Sequence, residues 1–188
     1  GFFVFFFVFL ISGIALLRER TSGTLERLLA TPVKRSELVF GYLAGYGVFA
    51  IIQTLVIVFF SLYVLKVAIV GSLFWVILTN ILMALTALSM GIFVSTFANS
   101  EFQMMQFIPI VVIPQIFFSG LIPLDSMASW IKTISYLFPL TYGGQALSNI
   151  MIKGQGWADI YLDLSILCLF IVGFTCLNIV GLKRYRKV

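Results

Sequence analysis

The sequence predicts an all-α polytopic membrane protein with five transmembrane helices, one short helix at the inner surface and short re-entrant helices on the outer side. Three observations carry that expectation. Of the 188 residues, 61% are hydrophobic and only 10% charged, against roughly 25% charged in a soluble domain. Mean hydropathy is +1.12. The apolar residues also come in uninterrupted runs close to the roughly 20 that cross a bilayer, and the polar stretches fall between those runs.

The first run, 1–17, is uncharged and crowded with Phe2, Phe3, Phe5, Phe6, Phe7 and Phe9. No basic n-region precedes it, so it reads as a span of a chain joined partway along rather than as a signal peptide. Residues 18–35, RERTSGTLERLLATPVKR, hold five of the twelve basic residues: Arg18, Arg20, Arg27, Lys34 and Arg35. Within them, 24–30 place Leu25, Leu28 and Leu29 at i, i+3 and i+4, one face of a two-turn helix. Glu26 lies in its first turn, where the helix dipole favours a carboxylate. Pro32 stops it, because the residue before a proline, Thr31, is pushed out of helical dihedrals. The three leucines make an apolar face at the membrane surface, which either lies on lipid or receives a protein that drives the two flanking spans.

The second span opens at Ser36 as N-cap with Glu37 in the first turn, and 38–65 carry no charge. Gly41 and Gly45 fit the small-xxx-small pattern of paired membrane helices, although glycine is frequent in such helices generally. The third span is 73–98, followed by a loop at 99–103 whose charge is Glu101. The fourth, 104–118, carries Pro109 and Pro114, each of which removes a backbone hydrogen bond and kinks the helix. Residues 119–156 are too punctuated by Gly120, Pro123, Pro139, Gly143 and Gly144 to span. Two short helices, 126–137 and 140–152, broken at Phe138 and Pro139, fit there as a re-entrant pair or as a structured outer loop. Trp130, Tyr136, Tyr142 and Trp157 are the amphipathic aromatics expected at headgroup depth. The fifth span, 160–182, has Asp159 and Asp163 at its entrance and a basic cluster at 183–187 after it.

Charge then fixes the orientation. Nine of the twelve Lys and Arg lie in 18–35 and 183–187, so the net +5 reads as positive-inside topology rather than as a nucleic-acid surface. Both clusters face the cytoplasm, the C-terminus with them, while Lys66, Lys132 and Lys153 face outward.

Catalytic chemistry finds little to work with. There is no histidine, hence no common metal ligand or general base. Cys168 and Cys176 lie eight residues apart, about 12 Å along one helix, too far for a disulfide within it; they read as small apolar fillers. No Walker A pattern occurs, so any ATP and magnesium would be bound elsewhere, and no cofactor or metal is expected on this chain. Glu101, Asp125, Asp159 and Asp163 fall at segment ends. Gln53, Thr54, Asn80, Thr86, Ser89, Gln103, Gln106, Gln115 and Asn178 are the neutral polar groups between them. They read mainly as helix-packing hydrogen bonds, with some lining an uncharged passage.

Two stretches carry a family resemblance: RERTSGTLERLLATPVKRSELVFGYLAGY at 18–46 and FFSGLIPLDSMASWIKTISYLFPLTYGGQAL at 117–147, with VSTFANS at 94–100 between them. The chain resembles the permease subunits of bacterial ABC-2 type ABC transporters, particularly the multidrug and antibiotic exporters. That resemblance implies a half-transporter in the bacterial plasma membrane that pairs with a second permease and is powered by a separate ATP-binding cassette subunit. It implies a coupling helix at Gly23, Thr24, Leu25, Glu26, Leu28, Leu29, Thr31 and Pro32. It places the external re-entrant gate at Ser119, Gly120, Pro123, Trp130, Pro139 and Tyr142. The implied activity is export of a hydrophobic or amphipathic compound. Lipid or polysaccharide export, or a membrane sensor or immunity subunit, are the alternatives. Family members begin with a further span and often an external domain, which are not in this sequence.

Overall fold

The computed structural model describes residues 1–185. Its helices are α1 (Phe2–Thr21), α2 (Thr24–Leu29), α3 (Arg35–Tyr63), α4 (Leu73–Ser95), α5 (Glu101–Phe118), α6 (Ser129–Ser135), α7 (Pro139–Met151) and α8 (Trp157–Gly181). Short 3-10 turns occupy Leu124–Ser126 and Leu182–Tyr185. Five of the helices, α1, α3, α4, α5 and α8, are long and apolar enough to cross a membrane. They are unequal: α3 has 29 residues and α5 has 18, about 43 Å and 27 Å at 1.5 Å per residue.

α4 is the axis of the bundle, with α1, α3, α7 and α8 packed on it. Its sequence suits that place. Met83, Ala84, Ala87, Leu88, Gly91 and Ile92 are buried on one half of it and Thr86, Ser89 and Met90 on the other, and a helix covered all round belongs in a core. Small residues let backbones approach closely, most clearly between α1 and α4. A methyl group on Gly91 would collide with the Ser12 hydroxyl and stand 2.8 Å from the Phe9 carbonyl oxygen. Gly91→Ala is therefore expected to destabilise the bundle by about 1–3 kcal/mol, as overpacking does, and to lower the thermal midpoint in detergent. An unchanged midpoint would show that α1 and α4 have room to spare.

Several boundaries differ from the sequence expectation, each for a local reason. α1 runs on through Arg18, Glu19 and Arg20 to Thr21, because nothing in those residues breaks a helix until Gly23, whose φ is +78°. α3 starts one residue before Ser36, with Lys34 rather than Ser36 as its N-cap; the Lys34 backbone N–H donates to Glu37 Oε2 at 2.9 Å. α5 starts at Glu101 instead of 104, since the Ser100 hydroxyl caps it by accepting from the Gln103 backbone N–H at 3.2 Å. The piece expected at 126–137 is a 3-10 turn plus the shorter α6. α7 begins on Pro139, a residue suited to the first helical position because its missing N–H would have no intrahelical partner there. Of the basic cluster at 183–187, Arg186 and Lys187 lie outside the described residues.

The polar groups inside the bundle hold their own helices more than one another. The hydroxyls of Thr54, Thr79, Thr86 and Thr175 donate to carbonyls four residues back. The Asn80 and Gln115 amides do the same. Asn178 behaves as expected of a packing residue: its Nδ2 donates to the Ser89 carbonyl of α4 at 3.0 Å. Gln106 is exposed. Cys168 and Cys176 are free and exposed on α8, so they fill no core space.

Candidate functional site

Two regions gather the candidate residues, one at each end of the bundle. At the basic end, Gly23 turns the chain out of α1 in the left-handed conformation, which glycine adopts without steric cost. α2 follows, only six residues long. A helix this short is not stable alone, and two of its leucines show what holds it. Leu25 and Leu29 are 1% and 5% exposed, in a small core with Leu38, Val39 and Leu182 that is separate from the main one. Leu28 points the other way, 37% exposed. The expected three-leucine outer face is thus corrected: four residues apart, Leu25 and Leu29 share one line down the helix, while Leu28 is rotated off it. The outward surface is Thr24, Glu26, Arg27, Leu28, Thr31 and Pro32, mixed in charge with one apolar centre. The Thr31 hydroxyl closes the helix end by donating to the Leu28 carbonyl at 2.5 Å.

Around α2, residues that the sequence left without a role tie the spans together. Arg18 pairs with Glu101 at the start of α5, Nε to Oε1 at 2.8 Å. Arg20 Nη1 donates to the Thr96 carbonyl, past the end of α4, at 3.0 Å. The Tyr46 hydroxyl of α3 donates to Glu19 Oε1 at 2.9 Å. A sequence signal existed for these: three consecutive charged residues ending an apolar run belong on a helix whose faces meet different neighbours. Beside Tyr46, an apolar cavity of about 150 Å³ opens between α1, α3 and α4. Gln53 lines it, and its Nε2 is buried without a hydrogen-bond partner.

At the opposite end, Ser119 and Gly120 carry the chain off α5. The Ser119 hydroxyl donates to the Ile116 carbonyl at 2.8 Å, and Gly120 has φ +90°. Pro123 opens the 3-10 turn. Trp130 on α6 is exposed, as is Tyr136, whereas Pro139 is buried at the start of α7. The Tyr142 hydroxyl donates to the Tyr136 carbonyl at 2.7 Å, and its ring lies 6.2 Å from that of Phe170 on α8. Lys132 Nζ donates to Asp125 Oδ1 at 3.1 Å; that hydrogen bond and the carboxylate's charge raise the ammonium's pKa above its ordinary value. The six residues expected at a gate therefore do not form one cluster: Pro139 is buried and Tyr142 packs on α8, while Trp130 faces out. Trp157 stacks on Trp75, 5.4 Å between ring centres, pinning the start of α8 to that of α4.

Among the described residues, no three His, Cys, Asp or Glu come together in a group that could hold a metal ion. The arrangement is a short helix with an exposed outer side at one end, short helices at the other, and a packed bundle between.

The family model of the ABC-2 type transporter matches residues 1–152. The probable multidrug ABC transporter permease YbhS of Escherichia coli is 27% identical over 95% of this chain and 48% of its own length. The inner membrane transport permease YhhJ of Escherichia coli is 30% identical over 94% of this chain and 47% of its own length. ABC transporter G family member 20 of Dictyostelium discoideum is 30% identical over 78% of this chain and 20% of its own. The chain thus spans about half the length of the two bacterial relatives. With five helices able to span and a family match over most of its length, this all-helical, multi-pass chain belongs to the ABC-2 type transporter family.

Proposed function

We propose that the chain is the membrane-spanning part of an exporter permease and that an ATP-binding cassette subunit docks on the outward face of α2. ATP and magnesium are then bound and hydrolysed on that partner, and this chain contributes no catalytic residue. The basic end faces the cytoplasm of a bacterial cell, because Arg18, Arg20, Arg27, Lys34, Arg35 and Lys183 gather there and basic residues favour the inner side. A second permease, identical or not, completes the passage.

The observation that carries this reading is the division of labour on α2. Leu25 and Leu29 fix the helix to the bundle while Glu26, Arg27 and Leu28 face outward, so a partner gripping the outer face would move the bundle with it. Cargo of hydrophobic or amphipathic character is supported by the apolar cavity beside Gln53 and by the word multidrug in the name of YbhS. The test is co-purification of the full-length permease with candidate cassette subunits, then ATP hydrolysis in liposomes with and without amphipathic drugs. Complex formation with drug-stimulated hydrolysis is expected. Labelling that reached Leu28 from the external side of intact cells would overturn the reading, since no cytosolic ATPase could touch it there.

A further inference from the structure

We propose that Leu182 is a positioning residue that joins the end of α8 to α2 and the start of α3, so that the three move as one block when a partner displaces α2. The proposal rests on the reading that α2 receives a motor subunit.

The separate core at the basic end is drawn from three parts of the chain. α2 supplies Leu25 and Leu29, α3 supplies Leu38 and Val39, and Leu182 comes from the turn that ends α8. Leu182 is 4% exposed although only one residue past the helix, and Ile179, one turn earlier, packs on the same cluster. Close-packed apolar contacts are stiff and transmit displacement. The link to α1 is of another kind. It is the hydrogen-bonded turn at Ser22 and Gly23, where the Ser22 N–H donates to the Arg18 carbonyl at 2.9 Å, the Gly23 N–H to the Arg20 carbonyl at 3.3 Å and the Arg27 N–H to the Gly23 carbonyl at 3.1 Å. α2 is thus held to α3 and α8 by side-chain packing and to α1 by backbone hydrogen bonds, and Leu182 carries the part of that hold that reaches α8. The movement does not stop at the surface, because Asn178, four residues before Leu182, is hydrogen-bonded to the Ser89 carbonyl of α4.

A leucine that merely ended α8 neatly would matter for stability alone, so the test reads motion and coupling. In the full-length permease with its ATPase, and with Cys168 and Cys176 replaced, spin labels go on Ala30 at the end of α2 and on Val180, both exposed. Between the nucleotide-free and vanadate-trapped states, the distance from Ala30 to Val180 is expected to stay fixed. Leu182→Ala should make that distance vary and lower transport about five- to tenfold at unchanged basal hydrolysis, within the range of coupling residues between sites. Leu182→Met should restore both. A wild-type Ala30–Val180 distance that changes with nucleotide overturns the proposal whatever the variants do, as does full transport by Leu182→Ala. Leu28→Asp separates the underlying reading: if it still assembles with the ATPase and transports, docking on α2 is wrong, whereas lost assembly beside a fully active Leu182→Ala rejects this proposal alone.

Discussion

Replacing Gly144 by alanine is expected to cost more stability than any other single methyl added to a glycine of this chain's helices. A Cβ at that position would fall on the Ser119 backbone carbonyl, where α7 passes the end of α5. Backbone cannot rotate out of the way as a side chain does. The neighbouring Gly143 faces Met83 instead, with the sulfur 2.5 Å from its added carbon, and a thioether can repack. The loss at Gly144 should therefore reach or exceed the top of the roughly 1–3 kcal/mol that overpacking usually costs. Tryptophan fluorescence during heating in detergent would measure it. Gly45→Ala is the control, because open space surrounds that position and alanine is the better helix former. Equal midpoints for the two variants would mean that α7 does not lie so close to α5.

The second large effect is expected from Glu26→Arg combined with Leu28→Asp. Both side chains are exposed on α2, so insertion and thermal stability should stay near wild type. Transport should fall at least about tenfold, since a charge at the apolar centre of a docking face and a reversed neighbour set mismatched charges against the partner. Leu25→Asp provides the contrast. That side chain is 1% exposed, and an unpaired carboxylate in an apolar core is strongly unfavourable, so α2 itself should come loose and protease sensitivity at residues 22–33 should rise. Reconstituted efflux with the ATPase present, read beside limited proteolysis, distinguishes the two. Retained efflux by the double variant would sink docking on this face.

The spans were legible in the sequence because hydrocarbon imposes a length and a composition that few residues violate, and the punctuation by Pro32, Gly120 and Pro139 marked where helices turn. Less legible was which side of a helix meets what. Spacing placed Leu25, Leu28 and Leu29 close together, but only three-dimensional neighbours decide that two of them belong to an internal core. The ends of α1 and α5 were misplaced for a related reason. Arg18 and Glu101 look like loop residues in a linear reading, whereas in the bundle they extend two helices and pair across them at 2.8 Å. Leu182 carried no signal at all, being one more leucine at the end of an apolar run. Of the amides expected to join helices, Asn178 does so, whereas Asn80 and Gln115 donate to carbonyls one turn back on their own helices, the nearer acceptors.

The difference in length between α3 and α5 bears on the lipid around the protein. A hydrocarbon layer about 30 Å thick is shorter than the 29 residues of α3 and slightly longer than the 18 of α5. Tilting relieves the first misfit and local thinning the second, each at a fraction of a kcal/mol per Å. One flank of the bundle therefore suits a thick bilayer and the other a thin one. Acyl-chain length in the surrounding membrane becomes a variable to which the protein's resting shape responds.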